Sequence, residues 1–133
     1  MKWTTGEHEF SRYGFRKLIK IRPIDILQPE MIWHGGLTET LRVSTMAAAY
    51  DIPLVSHGSS AYSYHFVMAQ PHSTFCEYLI TSANTDKIEP VFGRLFEHED
   101  LPLNGRICPL EEPGFDLKLR KDLVHFEHRY EAR

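Results

Sequence analysis

Cysteine is scarce in this chain of 133 residues: there are two, Cys76 and Cys108. They lie far apart and fit no metal-binding or redox spacing, so they read as reduced thiols in a cytoplasmic protein. Long apolar runs are absent as well. No stretch approaches the ~18 apolar residues of a membrane span. The first residues, Met1-Lys2-Trp3-Thr4-Thr5-Gly6, lack the apolar core of a signal peptide. Excess positive charge is missing too. The net charge is −3 with histidine neutral, which excludes the basic footprint of a nucleic-acid binder. Arg16-Lys17 and Arg120-Lys121 are short pairs that read as solvated faces. There is no internal repeat, no low-complexity segment and no Gly-x-Ser-x-Gly elbow of a serine hydrolase. Gly35-Gly36 is too short for a phosphate loop.

What remains is a globular composition, 42% hydrophobic and 25% charged, with enough length for one ordinary domain. Residues 1–80 alternate between strand and helix. Lys2–Gly6 reads as a strand. Ser11 to Lys20 reads as a helix with Ser11 as N-cap and Phe15, Leu18 and Ile19 on one face. Pro23 stops it, and Ile24–Leu27 begins the next strand. Gly35-Gly36 breaks the chain before a helix from Thr38 to about Tyr50, with Leu37, Leu41 and Ala48 on one side. Ala47, Ala48 and Ala49 are small enough for close packing on a sheet. Pro53 opens a third strand, and Ser60 is placed to cap a helix through Tyr62, His65, Phe66 and Met68. Phe75–Leu79 reads as a fourth strand with Cys76 in the core. This β-α-β-α-β-α-β order implies a parallel sheet with right-handed crossovers. Residues 81–133 differ: Asn84, Pro90, Gly93, Pro102, Asn104-Gly105, Pro109, Pro113 and Gly114 punctuate an irregular tail, expected to lie across another part of the molecule.

Each strand ends on an ionisable residue: Glu7, Glu30, His57 and Glu77. Acids and bases at the ends of parallel strands are where α/β sheets open onto active sites. His57 precedes Gly58-Ser59-Ser60, a loop that can approach a ligand closely. It reads either as a general base, with an ordinary pKa near neutrality, or as a turn histidine bonded to backbone. A single strand-end glutamate is usually a solvated carboxylate, but three beside a histidine could hold Mg²⁺, orient the imidazole or stabilise an enolate. Of the eight histidines, His8, His34, His57 and His65 are the informative ones; His98, His125 and His128 read as surface or loop residues. Glu7-His8-Glu9 is a weak metal motif, because neighbouring strand residues point to opposite faces.

Several strings then follow one another in a familiar order: Thr5-Gly6-Glu7-His8, Asp25 to Glu30, Trp33 to Thr38, His57-Gly58-Ser59-Ser60, Tyr62 to His65, Phe75-Cys76-Glu77, Asn104-Gly105 and Pro113-Gly114-Phe115. Through them nearly the whole chain resembles the mandelate racemase branch of the enolase superfamily, and within it the L-rhamnonate dehydratases. The resemblance implies an α/β fold, the C-terminal half of a TIM-like (β/α) barrel comprising strands five to eight, followed by an irregular segment. It implies Mg²⁺ held by three acids, of which Glu7 matches the third. His57 matches the general base, Glu77 the acid that hydrogen-bonds the enolate, and Glu30 the residue that pairs with the base. Position 30 carries Glu where the family usually has Asp. His8 is implied as a contact to a substrate hydroxyl, and Ser59 as a further substrate contact. The implied reaction removes the proton α to the carboxylate of a sugar acid such as L-rhamnonate, then expels the β-hydroxyl.

A complete barrel takes about 250 residues, so the expectation is half an active site. One acid does not hold Mg²⁺ against its hydration shell, and the outer strands of a half-barrel leave unpaired edges. Two outcomes follow. Either the chain works only within a complete barrel, or it is a non-catalytic remnant that persists by association, as a homo-oligomer or with an N-terminal half made separately.

Overall fold

The computed structural model describes residues 1–58 and 61–123. Its centre is a short parallel ladder. Strand β1 (Thr4–Thr5) pairs with β2 (Ile26–Leu27) in the register Thr4 with Ile26 and Thr5 with Leu27. Leu27 also bridges in parallel to Leu54, so three consecutive α/β units lie side by side. The ladder continues beyond the formal strands: Gln28 N–H donates to Thr5 O (2.9 Å), Val55 N–H to Leu27 O (2.9 Å) and His57 N–H to Pro29 O (2.9 Å). Pro29, itself fully buried, accepts a second bond from Ser56 Oγ (3.3 Å).

Helix α1 (Ser11–Ile21) returns the chain from β1 to β2, and α2 (Gly36–Ala48) returns it from β2 to the Leu54 segment. Phe15 and Ile19, four residues apart, face inward from α1 and are fully buried. They meet Leu27, Leu54, Val43, Ala47, Ile52 and Phe66 in one core. Arg22 ends α1 in the left-handed conformation (φ 51°), its N–H returning to Leu18 O, immediately before Pro23.

Three expectations change here. Ser11 is not the N-cap of α1. Phe10 holds that position without a capping side chain, and the helix start is secured instead from α2, where Glu39 Oε1 accepts the Arg12 N–H at 2.8 Å. Arg42 closes on the other oxygen of Glu39 at 3.1 Å. That N–H bond, with the flanking guanidinium groups, holds the Glu39 carboxyl below its ordinary range. Next, α2 turns a different face inward. Thr40, Val43, Ser44 and Ala47 are buried, while Leu37, Leu41, Ala48 and Ala49 are exposed. Last, Phe75–Leu79 is not a strand. Side chains hold it beside the ladder: Ser73 Oγ donates to Leu54 O (2.7 Å), and Glu77 Oε2 accepts Gly58 N–H (2.8 Å). Cys76 is half-buried, and desolvation pushes its thiol up.

Helix α3 (Ala61–Ala69) buries Tyr64 and Phe66. Residues 81–123 lie against its outer side through aromatic edges. Phe115 meets Tyr62 (5.6 Å) and His65 (6.0 Å), and Phe92 meets Tyr62 (6.0 Å) and Phe96 (5.5 Å). Asn104 (φ 50°) and Gly105 (φ 74°) form a two-residue turn of the kind that needs two positive φ angles, closed by reciprocal bonds between Leu103 and Arg106. Glu99 is buried under this segment with both oxygens on Phe92 N–H (3.1 Å each), and burial pushes its carboxyl up.

Candidate active site

The three ladder segments leave their last side chains at one end, and there His57 stands between two carboxylates. Its Nδ1 lies 2.8 Å from Glu77 Oε2, and its Nε2 lies 3.1 Å from Glu7 Oε2. Glu7 follows Gly6, whose φ of +128° turns the chain off β1; a side chain there would press on Phe15 at 3.0 Å. His57 is positioned by its own N–H on Pro29 O, and Glu77 by the Gly58 N–H and by Gln28 Nε2 (3.3 Å).

The arrangement limits the protons it can hold. A neutral imidazole has one N–H. With both nitrogens facing carboxylates, either the ring is an imidazolium donating twice, or one glutamate carries the second proton. Such a cluster can accept a proton at one ring nitrogen while the other holds its own.

Glu30 belongs to the same region. It is buried, its Oε1 accepts Ile32 N–H at 3.0 Å, and its Oε2 approaches Gly58 so closely that an added Cβ would sit 2.8 Å away. Gly58 also has φ +47°, so both backbone angle and space call for glycine. His8 stands exposed at the mouth, with Nε2 3.2 Å from Glu7 Oε1 and its ring 5.5 Å from Trp33. Glu7, His8, Glu30, Trp33 and His57 line a cavity of about 110 Å³. Ser59, expected as a substrate contact, lies outside the described residues, as do Ser60, His125 and His128.

Two of the histidines singled out from sequence do not join this cluster. His34 is a core residue, edge-on to Phe15 at 5.2 Å. Thr40 Oγ1 gives its proton to Gly36 O (2.9 Å), so the 3.1 Å contact to His34 has His34 Nε2–H as donor. Desolvation lowers the His34 pKa and keeps the ring neutral. His65 packs against Phe115. Conversely, Gln28 and Trp33 join the site without any role assigned to them from sequence. Gln28 was findable: it stands two residues before Glu30, and the two-residue period of a strand puts both on one face.

The donors around Glu7 do not by themselves make a Mg²⁺ site. Both oxygens of this one carboxylate face imidazole nitrogens, whereas Mg²⁺ requires near-octahedral oxygen ligation. Among the described residues, the group of acids and histidine with metal-ligand spacing is His98, Asp100 and Asp116, away from this rim.

The chain is 42% identical over 123 residues to L-rhamnonate dehydratase of Saccharopolyspora erythraea, covering 92% of the chain and 32% of that protein. The crystal structure of L-rhamnonate dehydratase from Gibberella zeae superposes with a TM-score of 0.86 at 50% identity, over 91% of this chain and 31% of that one. A mandelate racemase/muconate lactonizing enzyme from a marine actinobacterium, solved in complex with magnesium, gives 0.76 at 28% identity, over 90% and 33% of the respective chains. The chain thus spans about a third of the length of these relatives and corresponds to part of their TIM-type barrel. The family model described as enolase C-terminal domain-like matches residues 1–123, and the chain belongs to that family.

Proposed function

We propose that this chain carries the acid–base side of a sugar-acid dehydratase site and acts once the rest of a barrel, with further metal-binding acids, stands against it. The observation that carries this reading is the placement of His57 between Glu7 and Glu77 at one end of the parallel ladder. The match to L-rhamnonate dehydratases supports a sugar acid such as L-rhamnonate as substrate. A relative solved with Mg supports Mg²⁺ as the family's cation, with Glu7 contributing one ligand.

In this reading His57 Nε2 takes the α-proton once Glu7 turns from it, and Nδ1–H stays on Glu77, fixing ring and tautomer. The C–H electron pair becomes an enolate, which a protonated carboxyl among the rim acids stabilises by hydrogen bonding. His57, now an imidazolium, returns its proton to the departing β-hydroxyl, which leaves as water. The resulting enol becomes a 2-keto-3-deoxy acid. Glu30, held against Gly58, keeps the His57 loop in register, and His8 meets a substrate hydroxyl at the mouth.

The open sides of the ladder support completion by another part of a barrel. Trp3 beside β1 is 66% exposed and Phe75 beside the fourth segment 56%, and such edges invite pairing. The remaining strands can come from the same polypeptide, a separate chain or a second copy.

The test is a chimera in which residues 1–123 replace the matching stretch of a bacterial L-rhamnonate dehydratase. The expected result is Mg²⁺-dependent formation of 2-keto acid from L-rhamnonate, lost by about a thousandfold or more in His57→Asn. A folded chimera with no turnover on any sugar acid, or one that ignores His57→Asn, overturns the reading. The 133-residue chain assayed alone is expected to be inactive.

A further inference from the structure

The segment from Leu95 to Asp100 runs antiparallel to the segment from Asp116 to Arg120. Phe96 bridges to Leu119, Glu97 N–H donates to Lys118 O (2.8 Å), and Arg120 N–H donates to Leu95 O (3.1 Å). At the open end of this ribbon stand His98, Asp100 and Asp116, each offering one ligand atom within 4.8 Å of the other two. His98 Nε2 and Asp100 Oδ1 are 3.1 Å apart.

Asp116 makes the group more than a cluster of polar residues. It is only 9% exposed, and its Oδ2 is buried with no hydrogen-bond partner. Among the described residues no lysine or arginine forms an ion pair with Asp116 or Asp100. A buried carboxylate oxygen next to a second carboxylate is unstable unless a positive charge or a proton joins them. The imidazole supplies a third, softer donor, and its side chain is 58% exposed, which leaves the front of the group open to water.

We propose that His98, Asp100 and Asp116 bind a divalent cation of the zinc class. One nitrogen and two carboxylate oxygens with an open fourth position suit Zn²⁺; Mg²⁺ prefers an all-oxygen set and keeps its waters. On binding, the cation replaces the proton shared by His98 and Asp100 and neutralises Asp116. It ties the 95–100 segment to the turn holding Phe115, whose ring rests on Tyr62 and His65 of α3. The bound metal is therefore a clip within the tail, beside the Phe115 contact to α3, and it shares no residue with the His57 rim.

The experiment uses the full chain after chelation and desalting, titrated with ZnCl₂ by calorimetry and with CoCl₂ by visible absorption. Glu7→Gln serves as background, so that uptake at the His57 rim is separable. One equivalent of Zn²⁺ is expected in wild type and in Glu7→Gln, with a rise in melting temperature that MgCl₂ does not reproduce. Affinity is expected to fall on the order of tenfold or more in both His98→Ala and Asp116→Asn. His98 is exposed, so His98→Ala keeps the fold and makes the loss interpretable. No uptake by wild type, or uptake unchanged by His98→Ala, overturns the proposal; so does loss of the zinc equivalent in Glu7→Gln alone.

Discussion

In residues 1–58 a backbone ladder joins parallel neighbours, side chains such as Glu39 and Ser56 add to it, and the apolar side chains of two helices close over it. In residues 81–123 the chain is held by aromatic edges, one tight turn, a short antiparallel ribbon and side chains that reach back to the main chain. The contrast extends to buried carboxylates. Glu39, in the ladder half, sits on an N–H between two arginines and is held down. Glu99, in the tail, is dominated by desolvation and pushed up. A repetitive scaffold surrounds its buried charges with partners; an irregular one leaves them dependent on whatever the loop can supply.

The comparison breaks most visibly at Phe15, which is fully buried and touches both β2 and α2. Phe15→Ala is expected to cost about 3–5 kcal/mol and to abolish cooperative urea unfolding as followed by helical circular dichroism. Phe115→Ala is the matching test in the tail. Its cost is about 1–3 kcal/mol, the helical signal survives, and limited proteolysis cuts first within residues 81–123. Equal losses of helix in the two variants would show that the halves do not differ as described.

Gly58→Ala probes the join between scaffold and site. Its φ of +47° and the 2.8 Å approach to Glu30 Oε2 predict a cost of about 1–2 kcal/mol. The His57 ring resonances should shift, because Glu30 and the Gly58 N–H on Glu77 both move. The smallest effect is expected at Glu39. Its folded pKa lies below the ordinary value of 4.5, so its stabilisation is complete above 4.5 and is lost as pH falls through the lowered folded value. Glu39→Gln should lower stability slightly near neutral pH, where the stabilisation from the ionised carboxylate is complete, and flatten that part of the acid transition. The Arg12 amide resonance, which reports the N–H bond directly, should titrate below 4.5 in wild type and not at all in the variant.

Much of this was legible beforehand. The order of strands and helices followed from Phe15 and Ile19 at helical spacing and from Pro23, Gly35 and Pro53 as punctuation. The rim followed from four ionisable residues at expected strand ends, of which Glu7 and Glu77 meet His57, although Glu77 stands on no strand. The misreadings have physical causes. Ser11 looked like a cap because a cap is local, yet the α1 N–H is taken by Glu39, 27 residues away. Leu37, Leu41 and Ala48 share one side of α2, but that side is exposed, and Thr40 and Ser44 are buried instead, where their hydroxyls find Gly36 O and Gln70 Oε1. Phe75–Leu79 has strand composition but no ladder partner, and composition does not report whether a neighbour is present. Asp116 could not have been found at all, since its isolation depends on contacts made by distant loops.

Pro29 is a seam in the sheet. Its carbonyl receives His57 N–H and Ser56 Oγ, while its ring nitrogen can offer nothing back, so the ladder stops there by covalent necessity. Residues before it bond across the ladder to neighbouring segments; Glu30 beyond it bonds locally, its carbonyl accepting the Trp33 and His34 N–H groups and its Oε1 the Ile32 N–H. Sequence can therefore drift beyond this point without disturbing the sheet, and new specificities can be tried on the rim while the scaffold beneath stays the same.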